Sequence, residues 1–351
     1  MKFINVLVVD DSALMRRVIT DLLSSDPEIK VCGTARNGED ALKKIPELSP
    51  DVITLDVEMP LKNGLETLKE IMEKDPLPVI MLSNVTRAGT SQTIEAMQQG
   101  AIDFISKPSG QISLDLHTVQ SELIEKVKLA SQVRIRDVIS QKEDRDVPTS
   151  TIKVNRPKAN KKRIISIGTS TGGPRALVEV FSKLPDSLDA PVLVVQHMPS
   201  GFTRSLAERL NRTSALEVKE AEEGDILERG KAYIAPGGFH LIITEVGEDL
   251  MIKLDEQIPP TRGHRPSVDQ MFSSLAGLKN YQKIAVIMTG MGSDGKDGLL
   301  ALKSDPDTVA IAESKESSVV FGMPRAAIET KEVDEIHHVK DIAKCILSYT
   351  N

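Results

Sequence analysis

Residues 163–174, RIISIGTSTGGP, join an apolar run to a turn of small residues. The run has the composition of a buried parallel strand, and a helix-like segment, Arg175–Leu184, follows the turn directly. Glycines permit the tight backbone angles of such a turn, and Pro174 suits the first turn of the next helix. The stretch therefore predicts a strand–turn–helix unit, which is the building block of an open α/β sheet.

Apolar runs of strand length alternate with helical patterns on both sides of this stretch. In the first half the runs are Ile4–Val9, Val31–Ala35, Val52–Leu55, Val79–Leu82 and Asp103–Ile105, and a last helix is expected within Leu114–Ala130. After residue 163 the clearest runs are Pro191–Gln196, Lys231–Ala235, Leu241–Thr244 and Lys283–Met288. Alternation of this kind predicts two doubly wound α/β domains, each with a parallel sheet.

A segment of different composition separates the two halves. Residues 131–162 contain few apolar side chains, mixed charges and several prolines, so they cannot bury a core of their own. We therefore expect domains at residues 1–127 and 162–351, joined by a linker over 128–161. Its basic end could contact nucleic acid, but no recognition helix accompanies it, and we interpret the segment as a solvated tether.

The composition of the 351-residue chain excludes several classes of protein. A net charge of −7, no tryptophan and 3% aromatics argue against a general nucleic-acid binder. Two cysteines, Cys32 and Cys345, do not form a disulfide framework, and no run approaches the roughly 20 apolar residues of a membrane span. We expect a cytoplasmic monomer without nucleic-acid partner or membrane insertion.

Five polar residues of the first half follow predicted strands. They are Asp10, Asp11, Asp56, Ser83 and Lys107, and we expect them at one edge of the sheet. Three crowded carboxylates need a cation, and their oxygen ligands suit Mg²⁺. Asp56 can then accept a phosphoryl group, with Lys107 neutralising charge and Ser83 donating a hydrogen bond. Taken singly, the acids could be helix caps or turn residues, and the lysine a surface charge.

The small-residue turn of the second half carries a candidate nucleophile. A dinucleotide-binding loop would require glycine where Ser170 stands, whereas the spacing satisfies the G-x-S-x-G pattern of a nucleophile elbow. A serine nucleophile needs a base, and the base needs an orienting acid. His197 and Asp294 are candidates for these roles because each follows a predicted strand. His197 could instead be a structural histidine. The other candidates are His240 and His264 for the base, and Asp269 and Asp297 for the acid.

The first half resembles a two-component receiver domain. The resemblance covers residues 3–127 and includes Asp56-Val57-Glu58-Met59-Pro60 with Gly64. It implies a flavodoxin-like fold and phosphorylation of Asp56. It also implies a Mg²⁺ site formed by Asp10, Asp11, Asp56 and the backbone carbonyl of Glu58.

The second half resembles the catalytic domain of the chemotaxis methylesterases. The matching motifs are Gly168–Gly173, Gln196–Pro199, Ile234–Gly238, His264–Asp269 and Thr289–Gly295. The resemblance implies a Rossmann-like domain with a Ser170–His197–Asp294 triad and an oxyanion hole from the backbone of Thr171 and Met291. No cofactor is implied for the esterase reaction.

For the whole chain, the resemblance implies a phosphorylation-activated hydrolase of bacterial chemotaxis. Its substrates would be glutamate γ-methyl esters on chemoreceptors, with methanol as product, and particular receptor glutamines that it deamidates. The phosphodonor would be the chemotaxis histidine kinase. Two rivals are a response regulator whose second half binds DNA or protein, and a hydrolase of free small esters. The first leaves the Gly168–Gly173 turn, His197 and Asp294 unexplained.

Overall fold

The computed structural model describes residues 3–107, 115–133 and 161–350, without the side chains of 115–118. The chain divides into two compact units, Met1–Asp144 and Arg145–Asn351. Most of the predicted linker, residues 134–160, lies outside the described residues, so the predicted domain limits stay a prediction. Within the described ranges, no helix is both long and apolar enough to cross a membrane.

The first unit is a five-stranded parallel sheet with the strand order β2-β1-β3-β4-β5. This is the order of flavodoxin-like doubly wound sheets, and it confirms the predicted fold class. The strands are β1 (Ile4–Val9), β2 (Ile29–Ala35), β3 (Val52–Asp56), β4 (Val79–Ser83) and β5 (Asp103–Ser106). The helices are α1 (Ala13–Ser24), α2 (Gly38–Leu48), α3 (Gly64–Lys74), α4 (Arg87–Gln99) and α5 (Asp115–Ala130).

Local sequence explains where these helices begin. The Ser12 hydroxyl accepts a hydrogen bond from the Met15 backbone N–H at the start of α1. At α3, Asn63 and Glu66 form a reciprocal capping box. Such caps satisfy backbone donors that the first helical turn leaves without partners, so they fix the residue at which the helix begins.

The second unit contains a seven-stranded parallel sheet in the order β14-β13-β12-β6-β7-β9-β8. Its strands are β6 (Lys162–Thr169), β7 (Val192–Gln196), β8 (Glu217–Glu220), β9 (Lys231–Ile234), β12 (Tyr281–Ile287), β13 (Val309–Glu313) and β14 (Glu335–His337). The helices are α6 (Gly173–Phe181), α7 (Phe202–Thr213), α8 (Val268–Leu275), α9 (Lys296–Leu302), α10 (Met323–Ile328) and α11 (Val339–Thr350).

One predicted strand lies outside the parallel sheet. The run Leu241–Thr244 belongs to β10 (His240–Val246), which pairs antiparallel with β11 (Asp249–Asp255) in a separate two-stranded sheet. Only residues 247–248 connect the two strands. A connection this short can join antiparallel strands but not parallel ones. Gly247 supplies the positive φ, 63°, at this turn.

The position of β6 decides where the functional residues meet. β6 lies between β12 and β7, with Gly168 beside Ile287 and Thr169 beside Gln196. Because all three strands are parallel, their carboxyl ends share one edge of the sheet. In open α/β sheets ligands bind at such an edge, where strand order reverses.

Candidate active site

Ser170 follows β6 on a turn that is held from both sides. Its backbone N–H donates to the Thr289 carbonyl at 3.0 Å, and its carbonyl accepts from Gln196 Nε2 at 3.0 Å. Gly172 has φ +80°, and a Cβ on Gly173 would lie 2.0 Å from Gln196 Oε1. The turn therefore needs glycine for both conformation and space, and it presents Ser170 at the carboxyl edge of the sheet.

His197 follows β7 on the neighbouring strand. Its backbone N–H donates to the Thr169 carbonyl at 3.2 Å, and Nε2 lies 2.8 Å from Asp294 Oδ2. The ring stacks on His264 with centroids 3.9 Å apart and planes 7° from parallel. Among the described residues Nδ1 has no hydrogen-bond partner, the Ser170 hydroxyl included. Donation of Nε2–H to the carboxylate leaves the Nδ1 lone pair available as a base.

Asp294 follows β12 and is buried at the amino end of α8. Its carboxylate accepts five hydrogen bonds, from Ser267 Oγ, His197 Nε2 and the backbone N–H groups of Val268, Asp269 and Gly295. Burial opposes ionisation, but the hydrogen bond and charge of His197 and the backbone donors hold the Asp294 pKa well below its usual value. The side chain is therefore ionised whenever the protein is folded near neutral pH.

The alternative acids and one alternative base have other partners. Asp269 accepts from the Gly298 N–H at 2.7 Å, and its pKa is raised to about 6, chiefly by burial. Asp297 is exposed and pairs with Arg262. His240 is buried, with Nε2 3.2 Å from the Pro259 carbonyl oxygen. The other alternative base, His264, reaches the site, where it lies against the His197 ring.

Gly290 brings the predicted oxyanion donors close to Ser170. A Cβ on Gly290 would lie 2.8 Å from the Ser170 Cβ, so these two segments of the chain are in direct contact. Met291 is the next residue, and within the described part of the chain no acceptor is recorded for its backbone N–H. On the other side, the Thr171 carbonyl accepts from Thr289 Oγ1 at 2.9 Å. Thr171 therefore adjoins Ser170 along the chain, and Met291 follows the residue that contacts Ser170.

The polar edge of the first unit gathers the predicted phosphoryl-site residues. Lys107 Nζ lies 2.8 Å from Asp10 Oδ2 and 2.7 Å from Asp56 Oδ2. Oxygens of Asp10, Asp11 and Asp56 lie within 4.8 Å of one another. Burial, opposed by Lys107, raises the Asp56 pKa to about 6. An all-oxygen set at this spacing fits Mg²⁺, which prefers carboxylates and retained waters.

The remaining predicted residues of this edge lie at or after the ends of β3 and β4. Ser83 ends β4 and is buried, with its hydroxyl donating to the Asn84 carbonyl at 3.2 Å. The Glu58 backbone N–H donates to Asp56 Oδ1 at 3.3 Å, and Gly64 packs on the Asp56 backbone, which leaves no room for a Cβ. The contacts of Glu58 and Gly64 hold the loop after β3 against Asp56.

Three further residues of the site were not predicted from the sequence: Gln196, Thr289 and Glu313. Gln196 secures the Ser170 turn, Thr289 accepts its backbone N–H, and Glu313 accepts the Thr289 N–H at 2.7 Å. The available signal was a polar residue at the end of an otherwise apolar strand. Gln196 and Glu313 both end fully buried strands in this way.

Comparisons with known proteins identify a family for each of the two units. The CheB methylesterase family matches residues 165–346, and the response regulator receiver domain family matches residues 6–118. The crystal structure of the Thermotoga maritima CheB methylesterase catalytic domain is similar, with 43% sequence identity and a TM-score of 0.51. The similarity covers 53% of this chain and 97% of that domain.

Relatives match almost from end to end. Proteins named protein-glutamate methylesterase/protein-glutamine glutaminase from Geobacillus kaustophilus and Halalkalibacterium halodurans are 55% and 54% identical over 347 and 344 residues. The first match covers 99% of each chain, and the second 98% of this chain and 97% of the relative. With a receiver unit before a catalytic unit, this chain belongs to the CheB methylesterase family.

Proposed function

We propose that this protein hydrolyses glutamate γ-methyl esters of chemoreceptors and deamidates particular receptor glutamines, under control of phosphorylation. The function agrees with the names of its relatives. The observation that carries the assignment is the His197–Asp294 pair at 2.8 Å, formed by residues that follow the two strands flanking β6. A base held by a buried carboxylate beside an elbow serine suits acyl transfer.

The proposed reaction proceeds through an acyl-enzyme. Ser170 Oγ attacks the γ-carbonyl carbon while His197 Nδ1 takes the hydroxyl proton, and Asp294 stabilises the resulting imidazolium. The N–H groups of Thr171 and Met291 stabilise the oxyanion. Collapse releases methanol, which leaves with the proton from His197. Water then attacks the acyl-enzyme with His197 again as base, which frees glutamate and Ser170; deamidation differs only in releasing ammonia.

For the receiver unit we propose that Asp56 accepts a phosphoryl group from the chemotaxis histidine kinase. Asp10, Asp11, Asp56 and the Glu58 carbonyl would hold Mg²⁺, which neutralises phosphoryl charge when bound. Lys107 already contacts two of these carboxylates, and Ser83 lies at the next strand end, where its hydroxyl can donate to the phosphoryl group. These contacts support the proposal because phosphoryl transfer depends on positioning and charge.

Regulation, partners and location complete the proposal. Phosphorylation of Asp56 is expected to relieve inhibition of the catalytic unit by the receiver, a population shift of a few kcal/mol. A chain lacking residues 1–130 should therefore be faster than the unphosphorylated whole; equal or lower rates would rule out inhibition. The enzyme acts in the cytoplasm, as a monomer, on the cytoplasmic helices of receptors.

Methanol release from methylated receptor membranes tests the function directly. Wild-type protein should release methanol, while Ser170→Ala should not and Ser200→Ala, an exposed serine after the same sheet edge, should match wild type. A free-ester hydrolase would prefer a soluble ester over the membranes. A regulator that binds DNA or protein would release methanol from neither, and comparable activity in Ser170→Ala would reject the assignment.

A further inference from the structure

Glu313 is a buried acid that the proposed reaction does not use. It ends β13 with 1% of its surface exposed. One carboxylate oxygen accepts the Thr289 backbone N–H at 2.7 Å, and the other accepts the Ser317 hydroxyl at 2.8 Å. Burial raises its pKa to about 7, so keeping an acid here is costly. Its two hydrogen bonds are therefore what this side chain contributes to the site.

Its partner Thr289 is bonded to the whole nucleophile turn. The Thr289 carbonyl accepts the Ser170 backbone N–H at 3.0 Å and the Thr169 hydroxyl at 2.8 Å. The Thr289 hydroxyl donates to the Thr171 carbonyl at 2.9 Å. Thr169, Ser170 and Thr171 thus each form a hydrogen bond with Thr289. Glu313 in turn accepts the backbone N–H of Thr289.

The same threonine begins the segment that carries the second oxyanion donor. Gly290 follows it, in contact with Ser170, and the N–H of Gly290 donates to the Val320 carbonyl at 3.0 Å. Met291 comes next. A shift of the Thr289 backbone would therefore move both the Ser170 turn and the Met291 N–H.

We propose that Glu313 is a positioning residue for the esterase reaction, whose side-chain oxygen fixes Thr289 and thereby aligns Ser170 with the oxyanion donors. This inference rests on the function proposed above. The role requires an acceptor oxygen at the right distance and no charge. Glutamine can supply that oxygen, aspartate is one methylene too short, and alanine has none.

Two readouts separate positioning from stability. The first is the rate at which a fluorophosphonate probe labels Ser170, which needs an aligned serine and oxyanion hole but no receptor. The second is kcat and KM for methanol release from methylated receptor membranes by the phosphorylated full chain. Thermal unfolding of each variant is recorded beside them. We expect Glu313→Ala and Glu313→Asp to lower the labelling rate and kcat about 10- to 100-fold, with KM within about twofold.

The conservative variant and two controls complete the test. Glu313→Gln should keep the labelling rate and kcat within about threefold of wild type. Ser317→Ala leaves the Thr289 bond in place and should also stay within about threefold. Glu335 lies on the neighbouring strand β14, and Glu335→Ala removes a carboxylate that bonds Tyr349 and Cys345 of α11; it should lower stability without changing kcat.

The outcomes are distinct. Wild-type rates in Glu313→Asp, or equal losses in Glu313→Gln and Glu313→Ala, would overturn the inference. If Glu313→Ala does not fold, the aspartate and glutamine variants still decide the question. If labelling follows the expected order but wild type releases no methanol, the positioning role stands and the proposed substrate is wrong.

Discussion

Replacing Asp294 with asparagine tests the orienting acid most sharply. All five groups that contact this carboxylate are hydrogen-bond donors. An asparagine places an NH₂ group either where Oδ1 faces three donors or where Oδ2 faces two. The second orientation costs less, because one of those two partners, His197, can change tautomer and accept at Nε2.

That change of tautomer carries the expected loss of activity. With its proton on Nδ1, His197 no longer offers a base toward Ser170, and only binding and the oxyanion hole remain. The corresponding loss in a serine triad is about 10⁴-fold in kcat. The free energy of unfolding should fall by about 1–3 kcal/mol, because only the Val268 N–H is left facing another donor.

The assay is methanol release together with denaturant unfolding of the same preparations. Asp297→Asn is the matched control, because Asp297 lies three residues away on an exposed site, where its partner among the described residues is Arg262. It should retain kcat within about twofold. An Asp294→Asn enzyme within tenfold of wild type would refute the reasoning, as would a loss explained by unfolding alone.

Three other changes have defined expectations. Ser170→Ala, His197→Ala and the double variant should lose similar amounts of kcat, because the residues act as one unit; losses that multiply would contradict this. The Asp56 pKa of about 6 exceeds the unfolded value of about 3.9, so its contribution to stability falls as pH rises between these values. In calorimetry without Mg²⁺, Asp56→Asn should raise the free energy of unfolding of the receiver by about 2–3 kcal/mol at pH 7.5 and change it little at pH 4. The same variant should not be phosphorylated. Gly290→Ala would place its Cβ 2.8 Å from the Ser170 Cβ and should lower the labelling rate about 100-fold, whereas Gly277→Ala meets open space and should not.

Most of the fold could be predicted because buried parallel strands have a strong local signal. The apolar runs around β1, β3, β4 and β7 end within one or two residues of the strands themselves. The hairpin of β10 and β11 was not separated from the parallel sheet. Strand composition does not record pairing direction, which here followed from a two-residue connection.

The sequence by itself determined the candidate chemistry. A serine in a G-x-S-x-G turn, and polar residues placed where strands end, predicted which side chains meet, since parallel strands bring their carboxyl ends to one edge. The residue pattern alone did not decide which of Asp269, Asp294 and Asp297 is the orienting acid.

Tertiary structure decided what composition cannot encode: which carboxylate reaches His197 and which atoms lie behind Ser170. Asp294 is selected because three donors at the amino end of α8, the His197 ring and the Gly295 N–H all converge on it. Glu313 contacts Thr289 from a strand 24 residues further along the chain. Hydrogen bonds between distant residues depend on distances of a few tenths of an ångström, and only the packed sheet sets those distances.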